Sequence, residues 1–251
     1  MNSSVVFKKQ EKKDYTVLKG TQLRNPRVII YGVEGIGKST FASKFPDVLL
    51  LDIEDRTRHI DVNKIRVSCW KDLLNILDNI NAIIEENKIT VKTIVIDSLD
   101  WVQKDIAEYI CSMRKVDSIE EFGYGKGYVY IYEEILKLVK LLDGLSNFNI
   151  VVVCHSIVRK FEDPFGITYD RYTLKLLNSE KVSIADTFKE WADYMFFLNY
   201  KAVVKNGSIT DVRTIFTNRT SRFDGKRSLE LQDEIEMTPE EIDRLIKTIC
   251  V

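Results

Sequence analysis

The junction between a short apolar run and a glycine-rich loop constrains this chain more than any other stretch. Arg27-Val28-Ile29-Ile30-Tyr31 leads straight into Gly32-Val33-Glu34-Gly35-Ile36-Gly37-Lys38-Ser39-Thr40, which fits G-x-x-x-x-G-K-[ST] at every fixed position. The glycines let the backbone curl so that successive N–H groups converge on an oxyanion. A helix starting at Lys38 would add its positive N-terminal dipole. In such a loop a lysine reaches the β- and γ-phosphates of a nucleoside triphosphate and a serine hydroxyl ligates magnesium. Residues 32–40 are therefore the expected nucleotide-binding segment, with Lys38 on the phosphates, Ser39 on the metal, and ATP and Mg2+ as cofactors.

Apolar, β-branched runs recur at Val48–Asp52, Thr93–Asp97 and Asn149–Cys154. Each is apolar on both alternations, as in strands buried on both faces of a parallel sheet. Helical spacing separates them. Leu73, Leu74, Leu77, Ile80, Ile83 and Ile84 predict one helix. Val102, Ile106, Tyr109 and Ile110 predict a second, and Ile131 to Leu142 a third, ended by Asp143-Gly144. The alternation predicts an α/β fold with a mostly parallel sheet flanked by helices. After Cys154 the pattern changes: charged and aromatic residues to 180 with a turn at Asp163–Gly166, a helix through Phe188 and Trp191, and a C-terminal β-hairpin turning at Asn206-Gly207. Thr238-Pro239-Glu240-Glu241 reads as the capped start of a last helix.

Two strand ends carry acids. Asp97, at the carboxyl end of Thr93–Asp97, is placed to hold magnesium together with Ser39. Asp52, Glu54 and Asp55 follow Val48–Leu51, and one of them is a candidate base for the water attacking the γ-phosphate, while another caps a turn. Spacing alone does not choose among the three.

Composition narrows the alternatives. Hydrophobic residues at 45% and charged residues at 30% describe a globular chain, and no apolar run reaches membrane-span length. Residues 1–24, with Lys8, Lys9, Lys12 and Lys13, read as a polar leader lacking a signal peptide's apolar stretch, and residues 25–251 as a single domain. The 4 cysteines show no C-x-x-C spacing and join only 2 histidines, so free thiols in a cytoplasmic setting are expected rather than a zinc site. A net charge of -1 leaves nucleic-acid binding to local patches.

Taken together, these motifs resemble the RecA-type ATPase core, and more closely the short phage RecA-like ATPases of the single-strand annealing type. Glu34 matches the G-x-E-x-x-G-K form of the RecA loop. Leu51-Asp52-Ile53-Glu54 resembles the stretch bearing the catalytic glutamate, which favours Glu54, and Val95–Ser98 resembles the magnesium-binding strand. The similarity spans roughly residues 27–227. It implies a RecA-like P-loop core and a DNA-stimulated, Mg-dependent ATPase acting in recombination, with single-stranded DNA as partner. It also implies self-association into a filament or ring, a single-strand-binding protein as a candidate further partner, no membrane partner, and the host bacterial cytoplasm as location. His155 stands where RecA proteins usually carry a glutamine that senses the γ-phosphate. Glu121–Tyr128 lies where they carry a flexible DNA-contacting loop.

Basic and aromatic residues that suit a single strand fall in two segments. Tyr124 and Lys126 belong to the first, and Arg159, Lys160 and Arg171 to the second. A third cluster holds Arg213, Arg219, Arg222, Lys226 and Arg227, of which Lys226 or Arg227 is a candidate to reach nucleotide on a neighbouring subunit. The expected function is ATP-dependent, single-stranded-DNA-binding recombination or annealing. Two other classes remain on the residues alone: a P-loop small-molecule kinase, and an ATP-gated assembly protein with negligible turnover.

Overall fold

The computed structural model describes residues 24–179, 181–205 and 208–250. Nearly all of the expected leader and the Asn206-Gly207 turn lie outside them. A nine-stranded sheet runs through the molecule. Its parallel part comprises β1 (Arg27–Gly32), β2 (Val48–Asp52), β3 (Asn63–Arg66), β4 (Thr93–Asp97), the first half of β5 (Asn149–Glu162) and β7 (Tyr194–Lys205). β6 (Thr168–Leu174), β8 (Ser208–Phe216) and β9 (Glu234–Glu236) add antiparallel pairings, giving the order β3-β2-β4-β5-β1-β7-β8-β9 with β6 on β5. This is the mostly parallel, helix-flanked arrangement expected, with the C-terminal hairpin formed by β7 and β8.

Alternation along the strands builds two cores. Ile29, Tyr31, Leu49, Leu51, Ile94, Ile96, Ile150 and Val152 face one side. There they meet α2 (Trp70–Asp78), α4 (Leu99–Arg114), α5 (Lys126–Gly144) and α6 (Ile184–Trp191). Val28, Ile30, Leu50, Val95, Val151 and Val153 face the other side, under α1 (Lys38–Ala42) and α7 (Pro239–Ile249). The α7 cap is as read: Thr238 Oγ accepts from the Glu241 N–H at 3.3 Å.

The structure departs from expectation in four places. The helix expected through Leu73 and Ile84 is two: Asn79 leaves helical geometry (φ -106°, ψ 15°), and α3 (Ile80–Asn87) restarts beyond it. The Asn79 side chain donates to Asn75 O at 2.9 Å, a local bond that competes with the helical ladder. β3 has an almost fully exposed polar pattern, so no alternation marked it. The segment after Cys154 continues β5 outward without a break and returns through β6 as a hairpin. The glycine-aromatic run is also ordered: a 3₁₀ turn (Ile119–Phe122) leads into the first turn of α5, with Gly127 buried against it.

Three strand ends meet because β5 lies between β1 and β4. Gly32 pairs with His155 and Asp52 with Asp97, so loop, acids and histidine share one carboxyl edge. Gly32 also pairs with Leu198 of β7, and a Cβ there would lie 2.1 Å from the Leu198 carbonyl oxygen. Backbone cannot yield as a flexible side chain can. Gly32→Ala is expected to destabilise the fold by about 1–3 kcal/mol through overpacking, measured as a lower denaturation midpoint at unchanged m-value.

Candidate active site

The phosphate loop takes its shape from left-handed glycines. Gly35 has φ 71° and Gly37, the residue before α1, has φ 104°, a region closed to most side chains. Lys38 is buried, and its Nζ donates to the carbonyls of Gly32 (3.2 Å) and Val33 (3.0 Å). Burial pushes its ammonium below the ordinary lysine value, against the pull of Asp97, Asp100 and Glu54. Gly35, Gly37, Lys38, Ser39 and Thr40 line a cleft of ≈ 360 Å³ together with Glu54, Asp97 and His155.

The three acids after β2 have different surroundings. Asp52 is buried and accepts from the backbone N–H groups of Arg56 (3.3 Å) and Thr57 (3.0 Å), closing the turn. Asp55 turns to Arg58 (2.6 Å) and Arg66 (3.3 Å). Glu54 borders the cleft, and its Oε1 accepts from the Ser98 hydroxyl. A carboxylate held by one hydroxyl keeps lone pairs for a water molecule, the arrangement a general base requires.

Asp97 sits beside Ser39, whose hydroxyl favours its charged form, while Oδ2 is buried without a partner. Burial pushes its pKa up to about 6, with Glu54 and Asp52 adding to the effect, against Ser39 and Lys38. No group of three or more His, Cys, Asp or Glu able to hold a metal occurs among the described residues. Mg2+ ordinarily relies on one or two protein oxygens plus phosphates and waters. The orphaned Oδ2 and the Ser39 hydroxyl fit that donor set.

His155 is fixed by a residue that sequence reasoning passed over. Asp100, in the first turn of α4, accepts from the His155 backbone N–H (3.0 Å) and faces Nδ1 at 2.9 Å. Burial alone would raise the Asp100 pKa, but the hydrogen bonds from His155 outweigh it and hold the carboxyl below its usual value. The carboxylate makes Nδ1 the donor, which orients the ring at the cleft wall. Nothing in the spacing of Asp100, 55 residues from His155, announces the pair.

Arg213 is the second residue missed for this site. It projects from β8 into the same cleft, with a guanidinium nitrogen 3.7 Å from where a Gly37 Cβ would stand. Lys226 and Arg227 do not line the cleft. Lys226 Nζ donates to the carbonyls of Lys189 and Glu190 at the end of α6, both at 3.0 Å, and Arg227 pairs with Asp233 at 2.8 Å.

The residues expected to meet DNA divide as well. Tyr124 (92% exposed), Lys126 and Lys160 are at the surface. Arg159 donates to the Leu176 carbonyl at 2.9 Å. Arg171 is only 6% exposed and is paired with Asp224, so its placement is that of a buried structural ion pair rather than a surface contact.

A family model described as an AAA domain matches residues 24–229, most of the chain. The chain belongs to the AAA domain family. It is a P-loop ATPase of the AAA type, built on a mostly parallel α/β sheet. Among solved structures it is similar to a KaiC-like protein from the hyperthermophilic archaeon Pyrococcus horikoshii OT3, at 15% identity and TM-score 0.47, over 85% of each chain. No curated protein matches it. No helix among the described residues of this ATPase is long and apolar enough to cross a membrane.

Two outcomes are expected from this geometry. A buried carboxyl whose pKa is raised lets the folded state bind more protons than the unfolded one, so stability falls as pH rises from about 4 to about 6. Asp97→Asn should therefore stabilise the nucleotide-free protein at pH 7.5 by on the order of 2 kcal/mol, seen as a higher melting temperature, with no gain at pH 4. Thermal unfolding at the two pH values checks it. Arg213→Ala should weaken ATP binding about tenfold while leaving the unfolding midpoint of the nucleotide-free protein unchanged, as read by calorimetric titration.

Proposed function

We propose that this ATPase is an ATP-dependent, single-stranded-DNA-binding protein that promotes annealing or pairing of DNA strands. The observation that carries the reading is the continuity of β5. One strand runs from the buried sheet, through His155 at the nucleotide cleft, to Arg159 and Lys160 on the outer hairpin. The residue proposed to meet the γ-phosphate and a pair of basic residues thus share one continuous strand. The phage annealing ATPases that the motifs resemble have the same output.

The chemistry follows from the residues described. Loop N–H groups, Lys38 and Arg213 bind and orient the phosphates. Glu54, oriented by Ser98, takes a proton from the attacking water, and His155, oriented by Asp100, meets the γ-phosphate oxygens. Ser39 and Asp97 would hold Mg2+, which would supply charge neutralisation to the phosphates. Tyr124, Lys126, Arg159 and Lys160 form the proposed contacts to the strand, through backbone charge and ring stacking. Exposed Val158, Phe165 and Ile167 on the hairpin offer apolar area for assembly into a filament or ring. Lys226 or Arg227 would serve a neighbouring subunit's nucleotide only after leaving its present partners.

Phosphate release measured with and without single-stranded DNA tests the reading. Several-fold stimulation by DNA is expected, abolished in Lys38→Ala. Glu54→Gln should keep ATP binding while lowering kcat by about 10²–10⁴. Turnover indifferent to DNA would overturn the DNA half, and transfer of phosphate to a metabolite would replace the reading with a kinase.

A further inference from the structure

Among the described residues, three of the five unpartnered buried side-chain polar atoms outside the nucleotide cleft gather in one place. Arg159 Nε, Arg171 Nε and Thr173 Oγ are all buried without a hydrogen-bond partner, and their side chains line one open cleft of ≈ 620 Å³. Register explains the convergence. Arg159 stands opposite Arg171 across the β5–β6 hairpin, and Thr173 lies two residues further along β6, so all three share a face. Arg171 is 6% exposed and Thr173 7%.

Each guanidinium is half used. Arg159 spends NH1 and NH2 on the carbonyls of Asn178 (3.4 Å) and Leu176 (2.9 Å). Arg171 spends NH2 on Asp224 and the Phe223 carbonyl (3.3 Å). In both, the Nε–H is buried without an acceptor, which costs free energy unless one meets it. The charge around the cleft is also uneven. Its two acids, Asp186 and Asp224, are answered by Lys189 at 3.3 and 2.8 Å, and Asp224 by Arg171 as well. Arg159, Lys160 and Arg219 also line the cleft and add positive charge that these acids do not balance.

We propose that this cleft is a second oxyanion site, separate from the phosphate loop, and that it takes a phosphate group. Two guanidinium donors and a hydroxyl on one face of the hairpin suit an anion with several acceptor oxygens better than a planar carboxylate already matched by one fork. The phosphate comes either from a free phosphoanion or from the backbone of a nucleic-acid strand. The site does not depend on the DNA reading, since its chemistry is the same for both sources.

The test uses the full chain carrying Lys38→Ala, which weakens the phosphate loop, and compares it with the same chain carrying Thr173→Val or Arg159→Gln in addition. Inorganic phosphate is titrated at constant ionic strength while the unfolding midpoint is followed, and a labelled single-stranded oligonucleotide is titrated by fluorescence anisotropy. Without phosphate, Thr173→Val should keep or raise the midpoint, because it removes a hydroxyl that has no partner. With phosphate, both added substitutions should weaken the response about tenfold, the effect of losing a hydrogen bond to a charged group. Loss confined to inorganic phosphate assigns a free phosphoanion, and loss of oligonucleotide affinity assigns a backbone phosphate. Unchanged behaviour in both titrations overturns the site, as does a lower midpoint for Thr173→Val without phosphate. ATPase stimulation by DNA in the otherwise unaltered chain is read separately, so failure of this site and failure of the DNA reading are told apart.

Discussion

Burial of like charge at the carboxyl edge of the sheet is the constraint on which the rest of the structure turns. Asp52, Glu54, Asp97 and Asp100 sit around one buried ammonium, Lys38. A low-dielectric site tolerates this only where each carboxylate finds donors. Asp52 finds them in the turn after β2, Asp100 in His155, and Glu54 in Ser98. Asp97 is left with the Ser39 hydroxyl and one empty oxygen, and the residual strain appears as its raised pKa. A divalent cation beside Asp97 and a triphosphate beside Lys38 would relieve both ends of that imbalance at once. The site is thus held in a state that its own ligand improves.

Local patterns made part of this legible. The loop, the strands and Asp97 were readable because each depends on a few contiguous residues: glycines for a tight curl, doubly buried strands as unbroken apolar runs, and an acid where the run stops. The choice among Asp52, Glu54 and Asp55 was not readable from spacing, since all three follow the same strand. Only the turn at Thr57 and the positions of Ser98, Arg58 and Arg66 separate their environments. Asp100 and Arg213 were illegible for a different reason. Asp100 meets His155 because β5 is inserted beside β4, and Arg213 meets Gly37 because β8 folds back along β7. Both depend on strand order, which one sequence does not state. β3 carries no signal at all, since an edge strand with polar side chains has no buried face to produce alternation.

The hairpin beyond His155 shows how period-two register sorts a run of charges that sequence leaves undivided. Arg159 and Arg171 fall on one face, Lys160 and Asp170 on the other. The inward pair is then committed to protein partners, Arg171 to Asp224 and Arg159 to Leu176, while Lys160 stays at the surface. A buried guanidinium is retained only with an opposing charge, so Arg171 and Asp224 tie β6 to the loop carrying Asp224. The backbone adds a second tie, with the Tyr172 N–H donating to the Arg222 carbonyl at 2.8 Å.

Those ties decide what kind of response the hairpin can give. A segment free of tertiary contacts would answer events at His155 by ordering or melting. Here the hairpin is paired along seven registered positions and clamped at its base by Arg171, Tyr172 and the Lys175 N–H on the His155 carbonyl. A shift of His155 would therefore reach Arg159 and Lys160 as displacement of an intact strand. Melting would give up the seven registered pairings and the backbone ties at the hairpin's base together. A tilt keeps all of those bonds and moves the strand as a unit, so it is the cheaper motion.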